Sequence, residues 1–209
     1  MERKIDHLVY AVKNLDKAVE FLGSRLGVHP VLGGHHQKFG TKNALIRLNE
    51  GIYLEILAID PNNTEAVRPR WMGVDFLTRD RITRWAVRSN ELGRDGQILE
   101  DYRAGLGTLT NGSRKTPNGK LLQWQLLAPL AVPEVEVVPF CIDWSQSETH
   151  PYEQLPQMDC KLIELSFSHP QPEVISNIFE RLGIQFSIES GNAAVIAATI
   201  SGPKGSVEL

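Results

Sequence analysis

The chain has 209 residues, of which 42% are hydrophobic and 22% charged, with a net charge of −3. That balance supports a buried core, as one domain or two small ones, and excludes disordered, collagen-like and disulfide-scaffold classes. There is no lysine or arginine run, and no apolar stretch approaches the roughly 18 residues that span a bilayer, so neither nucleic acid nor membrane is an expected partner.

The first predicted element is IDHLVYAV, residues 5–12. Ile5, Leu8, Val9 and Val12 are β-formers and Tyr10 suits a half-buried sheet, yet Asp6 and His7 stand side by side in the run. NLDKAVEFLGSRLGV follows with Leu15, Ala18, Val19, Leu22 and Leu26 at helical spacing, Asn14 as N-cap and Gly27 as stop. HPVLGGHHQKFG reads as a strand with a glycine-rich turn. TKNALIRLNEG and IYLEILAID read as two strands joined at Asn49-Glu50-Gly51. The order β-α-β-β-β defines a first module over residues 1–60.

The middle, 75–145, permits the same order. RITRWAVRSN is a strand, and ELGRDGQILEDYRAG is a short helix weakened by Gly93 and Gly96. A hairpin turns through Thr116-Pro117-Asn118-Gly119, and VEVVPFCIDW is a further strand. A third module spans 160–209: KLIELSFSHP, a helix in QPEVISNIFERLGI ended by Gly183, then QFSIES, AAVIAATISG and GSVEL. KIDHLVY aligns with KLIELSF, RLGV with RLGI, and GIYLEI with GSVEL, an internal repeat of about 50 residues. Residues 129–134 and 145–159 are Pro-rich and polar connections. The expected fold is α+β: repeated βαβββ modules forming curved, mainly antiparallel cup-like sheets with helices outside, together one unit. Cys141 and Cys160 fit a reducing cytoplasm, and the N-terminus has no uninterrupted apolar stretch of the export-signal kind.

Side chains alternate along a strand, so His7 shares a face with Ile5, Val9 and Ala11, and Glu55 shares one with Tyr53 and Leu57. A carboxylate inside IYLEILAI is unfavourable to bury unless paired or metal-bound. Arg47 on the neighbouring strand offers a plain ion pair for it. His plus carboxylates suits a divalent ion such as Mn, Fe, Ni or Zn. Asn43 reads either as a strand-end hydrogen-bonder or as a substrate contact, and Trp85, Trp124 and Trp144 either as core or as ligand wall. His35 and His36 beside Gly33 and Gly34 read as exposed loop, and His150 as a loop or rim residue.

A βαβββ module opening on DHLVYAV and closing on YLEI resembles the vicinal-oxygen-chelate superfamily, which includes glyoxalase I, extradiol dioxygenases and bleomycin-resistance proteins. IDHLVYAVKNLDKAVEFL, HHQKFGTKNALIRL, YLEIL, PFCIDW and HP (150–151) resemble, more narrowly, the glyoxalase-like family of bacterial proteins. The resemblance implies paired modules curled into a cup, with a metal held by the first and last strand of each. His7 and Glu55 match those positions in the first module. The middle module offers Arg84 or Trp85, neither of which suits, and Asp143, which does. The third offers Glu164 and Glu208. The ligand set is therefore His7, Glu55, Glu164 and Glu208 if the first module pairs with the third, or His7, Glu55 and Asp143 if it pairs with the middle one. The implied function is a metal-assisted lyase or isomerase acting on a small substrate with adjacent oxygens, with Glu55 shuttling the proton. The alternative is a metal-free small-molecule binder like the bleomycin-resistance proteins, with Asn43, Tyr53, Trp85, Trp124 and Trp144 contacting the ligand. The cup forms either within one chain or across a homodimer.

Overall fold

The computed structural model describes residues 3–115 and 119–209. β1 (Ile5–Ala11) leads through α1 (Leu15–Leu26) to β2 (Val31–His36), β3 (Thr41–Arg47) and β4 (Tyr53–Ile59). β5 (Arg81–Arg88), α2 (Leu92–Tyr102), β6 (Leu109–Lys115), β7 (Leu121–Leu127) and β8 (Phe140–Asp143) form a second unit. After the short α3 (Pro151–Gln154) come β9 (Lys161–His169), α4 (Pro172–Leu182), β10 (Glu189–Ser190), β11 (Val195–Gly202) and β12 (Gly205–Glu208).

The local signals act as their chemistry dictates. The Asn14 side chain accepts the Lys17 backbone N–H at 3.0 Å, and Gly27 and Gly183 take left-handed φ values of 76° and 73° where α1 and α4 stop. α2 runs for 11 residues through Gly93 and Gly96, and a Cβ at Gly107 would run into the Gly96 carbonyl oxygen. The expected turn at Thr116-Pro117-Asn118 lies outside the described residues; the strands flanking it pair from Leu109–Leu127 to Lys115–Leu121.

The first two units share one curled eight-stranded sheet in the order β2-β3-β4-β1-β5-β8-β7-β6. Each first strand runs parallel to the last of its own unit, β1 with β4 and β5 with β8, and β1 meets β5 antiparallel at the centre. The remaining strands form a separate sheet, β10-β9-β11-β12. There β9 lies between β10 and β11, and β12 is an edge, so this unit shares the element order of the others but not their neighbours.

Alternation divides the large sheet's two faces. Leu8, Tyr10, Leu54, Ile56, Ile82 and Val87 point toward α1, α4 and the small sheet, in one continuous core. Trp85 belongs to this core. It is fully buried against Phe167, Phe179 and Phe186, and its indole N–H donates to the Val137 carbonyl at 2.6 Å. Val9, Ala11, Leu57, Ala86, Leu126, Phe140 and Ile142 point the other way, into the hollow of the curl. Among the described residues no helix is long and apolar enough to cross a membrane.

Candidate active site

The hollow holds a cavity of about 60 Å³. His7, His36, Asn43, Tyr53 and Glu55 line it from the first unit, Trp124, Phe140 and Ile142 from the second, and Trp71, Trp144 and Pro151 from the connections. An irregularity in β1 shapes it. Ile5 pairs with Val87 and His7 with Ala86, so Asp6 is a bulge residue with no partner on β5. A bulge re-aims side chains that strict alternation would send to opposite faces, and here Asp6 Oδ1 lies 2.7 Å from His7 Nδ1.

Asp6 is wholly buried and accepts four hydrogen bonds. Besides His7 Nδ1, Oδ2 receives His150 Nε2 at 2.8 Å, Arg88 Nε at 3.1 Å and Trp144 Nε1 at 3.2 Å. Burial alone raises a carboxyl pKa, but hydrogen bonds and charge from His150 and His7 outweigh it and hold Asp6 well below the usual carboxylate range. His150 caps α3 by accepting the Tyr152 N–H at Nδ1, which assigns its proton to Nε2, facing Asp6. With the Nδ1 proton of His7 likewise given to Asp6, Nε2 is the atom His7 turns to the cavity.

His7 is seated by its neighbours. β1–β4 register puts it beside Tyr53, whose ring stacks on the imidazole at 4.7 Å and 15°, while Phe140 meets it edge-on at 5.3 Å. Across the cavity floor, Glu55 Oε2 lies 3.7 Å from His7 Nε2, beyond direct hydrogen-bond range. The other oxygen, Oε1, accepts Asn43 Nδ2 at 2.6 Å. Asn43 is itself fixed, because its Oδ1 accepts the Gly34 N–H at 2.9 Å and a Cβ at Gly33 would run into that oxygen. His36 completes the corner, with Nδ1 on Thr41 Oγ1 at 2.9 Å and Nε2 at 3.9 Å from Glu55 Oε1. Trp71 also reaches Thr41 Oγ1, at 3.2 Å. Arg47 leaves Glu55 alone: its guanidinium donates to the Leu155 carbonyl and lies over the Tyr152 ring.

The sequence-derived ligand sets do not assemble. Glu164 and Glu208 are exposed on the small sheet, flanking Thr199 from either side, because β12 is an edge strand there. Asp143 accepts the Ser145 N–H and lines a separate cleft of about 820 Å³ on the far side of Trp144. Arg84 sits opposite Val9 with its guanidinium on the carbonyls of Thr83, Leu130, Pro133 and Glu134. Burial lowers its pKa to about 10, leaving it charged at neutral pH. Trp85 faces the opposite core because it is one residue out of phase with Arg84. All the nitrogen and carboxylate donors at the cavity come from the first unit, and the amide of Asn43 stands between Glu55 and His36. Among the described residues no three His, Cys, Asp or Glu side chains converge to hold an ion. The residues present do not make the two-sided metal centre that the resemblance implies.

Sequence reasoning gave no site role to Asp6 or Trp71 and read His36 as exposed loop, whereas it lies half-buried on β2 against the cavity. The Asp-His dipeptide carried a signal, since a carboxylate is the common orienting partner of a functional imidazole. His36 carried one only in hindsight of β2–β3 register, and Trp71, in an aperiodic connection, carried none.

A curled sheet built from two βαβββ units around a shared hollow defines the class of glyoxalase-like cups. The glyoxalase-like domain family model matches residues 5–183, and the chain belongs to that family. No curated protein matches it. Among solved structures, a hypothetical protein from Staphylococcus aureus is similar at 16% identity, with 99% of this chain and 98% of that one covered and a TM-score of 0.66, which shows the shared fold. Methylmalonyl-CoA epimerase from Streptomyces coelicolor, in complex with 2-nitronate-propionyl-CoA, matches at 16% identity over 71% of this chain and 99% of that one, with a TM-score of 0.44. The Mycobacterium tuberculosis epimerase matches at 17% over 66% and 85%, with a TM-score of 0.37.

Proposed function

We propose that the chain is a lyase or isomerase that moves a proton on a small oxygen-bearing substrate, with His7 and Glu55 as its acid–base pair. The observation that carries this is the gap between His7 Nε2 and Glu55 Oε2. At 3.7 Å the two groups are too far apart to satisfy each other and close enough to act on one bound molecule. Glu55 Oε2 takes a proton from carbon next to a carbonyl, while its other oxygen stays anchored by Asn43. His7 exchanges a proton with the substrate oxygen through Nε2, and Asp6 stabilises the imidazolium through Nδ1. Delivery of that proton by Glu55 to the neighbouring former carbonyl carbon, with His7 moving the oxygen-bound proton between the two substrate oxygens, gives isomerisation; loss of a leaving group from the carbon beside the deprotonated one gives elimination. The reading uses no divalent ion, because the second unit sends neither Arg84 nor Asp143 to the cavity.

Deuterium exchange tests it without knowledge of the product. A panel of small hydroxyketones and ketoacid esters is incubated with the protein in D2O, and α-proton signals are followed by NMR. The expected result is catalysed exchange for at least one compound, lowered about 100-fold or more in Glu55→Gln and in His7→Phe. No exchange across the panel, or full exchange in Glu55→Gln, removes the proposal. The tryptophan-lined wall also suits a binder that does no chemistry, and that reading predicts saturable binding without exchange.

A further inference from the structure

The cavity is lopsided in charge. Among the described residues lining it, Glu55 is the one carboxylate, and none is a lysine or an arginine. Arginines do stand around it, but each guanidinium is engaged elsewhere. Arg84 is held by four backbone carbonyls, and Arg88 by Asp6 and the Gly51 carbonyl. Arg47 is held by the Leu155 carbonyl, and Arg70 by Asp75. The rest of the wall is flat and apolar, with Trp71, Trp124, Trp144, Tyr53 and Phe140. An anion brought to Glu55 meets a like charge in a site with no arginine or lysine to offset it, and of the two histidines beside Glu55, His7 is already matched by the buried Asp6 carboxylate and His36 is bonded to Thr41. A planar apolar body finds aromatic faces, and a cationic one gains further from them.

From this lining we infer that the ligand is a planar, uncharged or cationic molecule seated with its polar head at Glu55, and that carboxylates and phosphate esters are excluded. This rests on reading the hollow as the functional site, but not on its being catalytic.

Three near-isosteric probes isolate charge from shape: benzoate, benzamide and benzamidine, titrated into the full chain and followed by NMR shifts of the tryptophan indole N–H groups. Benzamide and benzamidine are expected to shift the Trp124 and Trp144 signals, with benzoate about tenfold weaker or worse. Glu55→Gln narrows the gap between benzoate and benzamide, and Trp124→Phe weakens all three without reordering them. Benzoate binding as tightly as benzamide overturns the inference, as does the absence of any shift with all three probes. The exchange assay is a separate readout. A correct probe order without exchange keeps this inference and sinks the catalytic reading; efficient exchange on a carboxylate substrate does the reverse.

Discussion

In the first half of the cup, β1 and β4 bring His7 and Glu55 to 3.7 Å across the cavity. In the second half, β5 and β8 carry Arg84 and Asp143, and neither lines it. The strand order is the same, yet one half presents proton-handling groups and the other presents a wall. The difference lies in what each buried polar group is tied to. His7 and Glu55 are each held at one end only, leaving a nitrogen and an oxygen for the cavity. The Arg84 guanidinium spends its Nη1 and Nη2 donors on carbonyls of the 130–134 connection and its own strand, which fastens that connection down. On the proposed reading, chemistry belongs to one half and mechanical support to the other.

Substitutions can break that division. The largest loss of stability is expected from Trp85→Ala, about 4 kcal/mol in urea unfolding, because it empties the junction between the second half and the small sheet. A loss near 1 kcal/mol would place Trp85 outside that core. Arg84→Met should follow at about 3 kcal/mol, since it leaves several buried carbonyls without donors; a neutral result would undo the scaffold role of the second half. Gly33→Ala should lose about 1 kcal/mol while sharply reducing exchange or ligand binding, because the displaced Asn43 no longer fixes Glu55. Unchanged function there would show that Glu55 needs no clamp. Glu55→Gln should be near neutral in stability, and a loss as large as that of Arg84→Met would mean that the first half is scaffold too.

Asp6 sharpens the comparison through pH. Its folded pKa lies below its ordinary value, so its stabilisation is present above the unfolded pKa and fades as pH falls through the folded one. The gap in urea midpoint between wild type and Asp6→Asn should therefore be full near about pH 6 and shrink below about pH 4. A gap that widens in acid would contradict the four-donor arrangement.

Much of the cup was legible because its rules are local. His7 and Glu55 announced themselves as polar groups inside apolar strands, and Asn14, Gly27 and Gly183 fixed helix ends through their own backbone chemistry. What escaped depended on register between strands. The bulge at Asp6 is a property of the β1–β5 pair, not of IDHLVYAV. The one-residue phase that sends Trp85 to the core and Arg84 to the opposite face, onto the 130–134 connection, follows from the same pairing. The third unit repeats the order of the others along the chain, but its strands choose different neighbours, which is why Glu164 and Glu208 never approach His7.

The hydrogen bond between Asp6 and His150 joins residues 144 positions apart. During synthesis, His7 leaves the ribosome well before Trp144 and His150, the groups that complete the support of Asp6. Until then Asp6 has Arg88 as its one distant donor. A chain stopped short of residue 144 would lack two of the four donors to Asp6 and, with α4 and the small sheet unmade, the cover of the sheet's other face as well, so the setting of His7 is completed only when nearly all of these residues are in place.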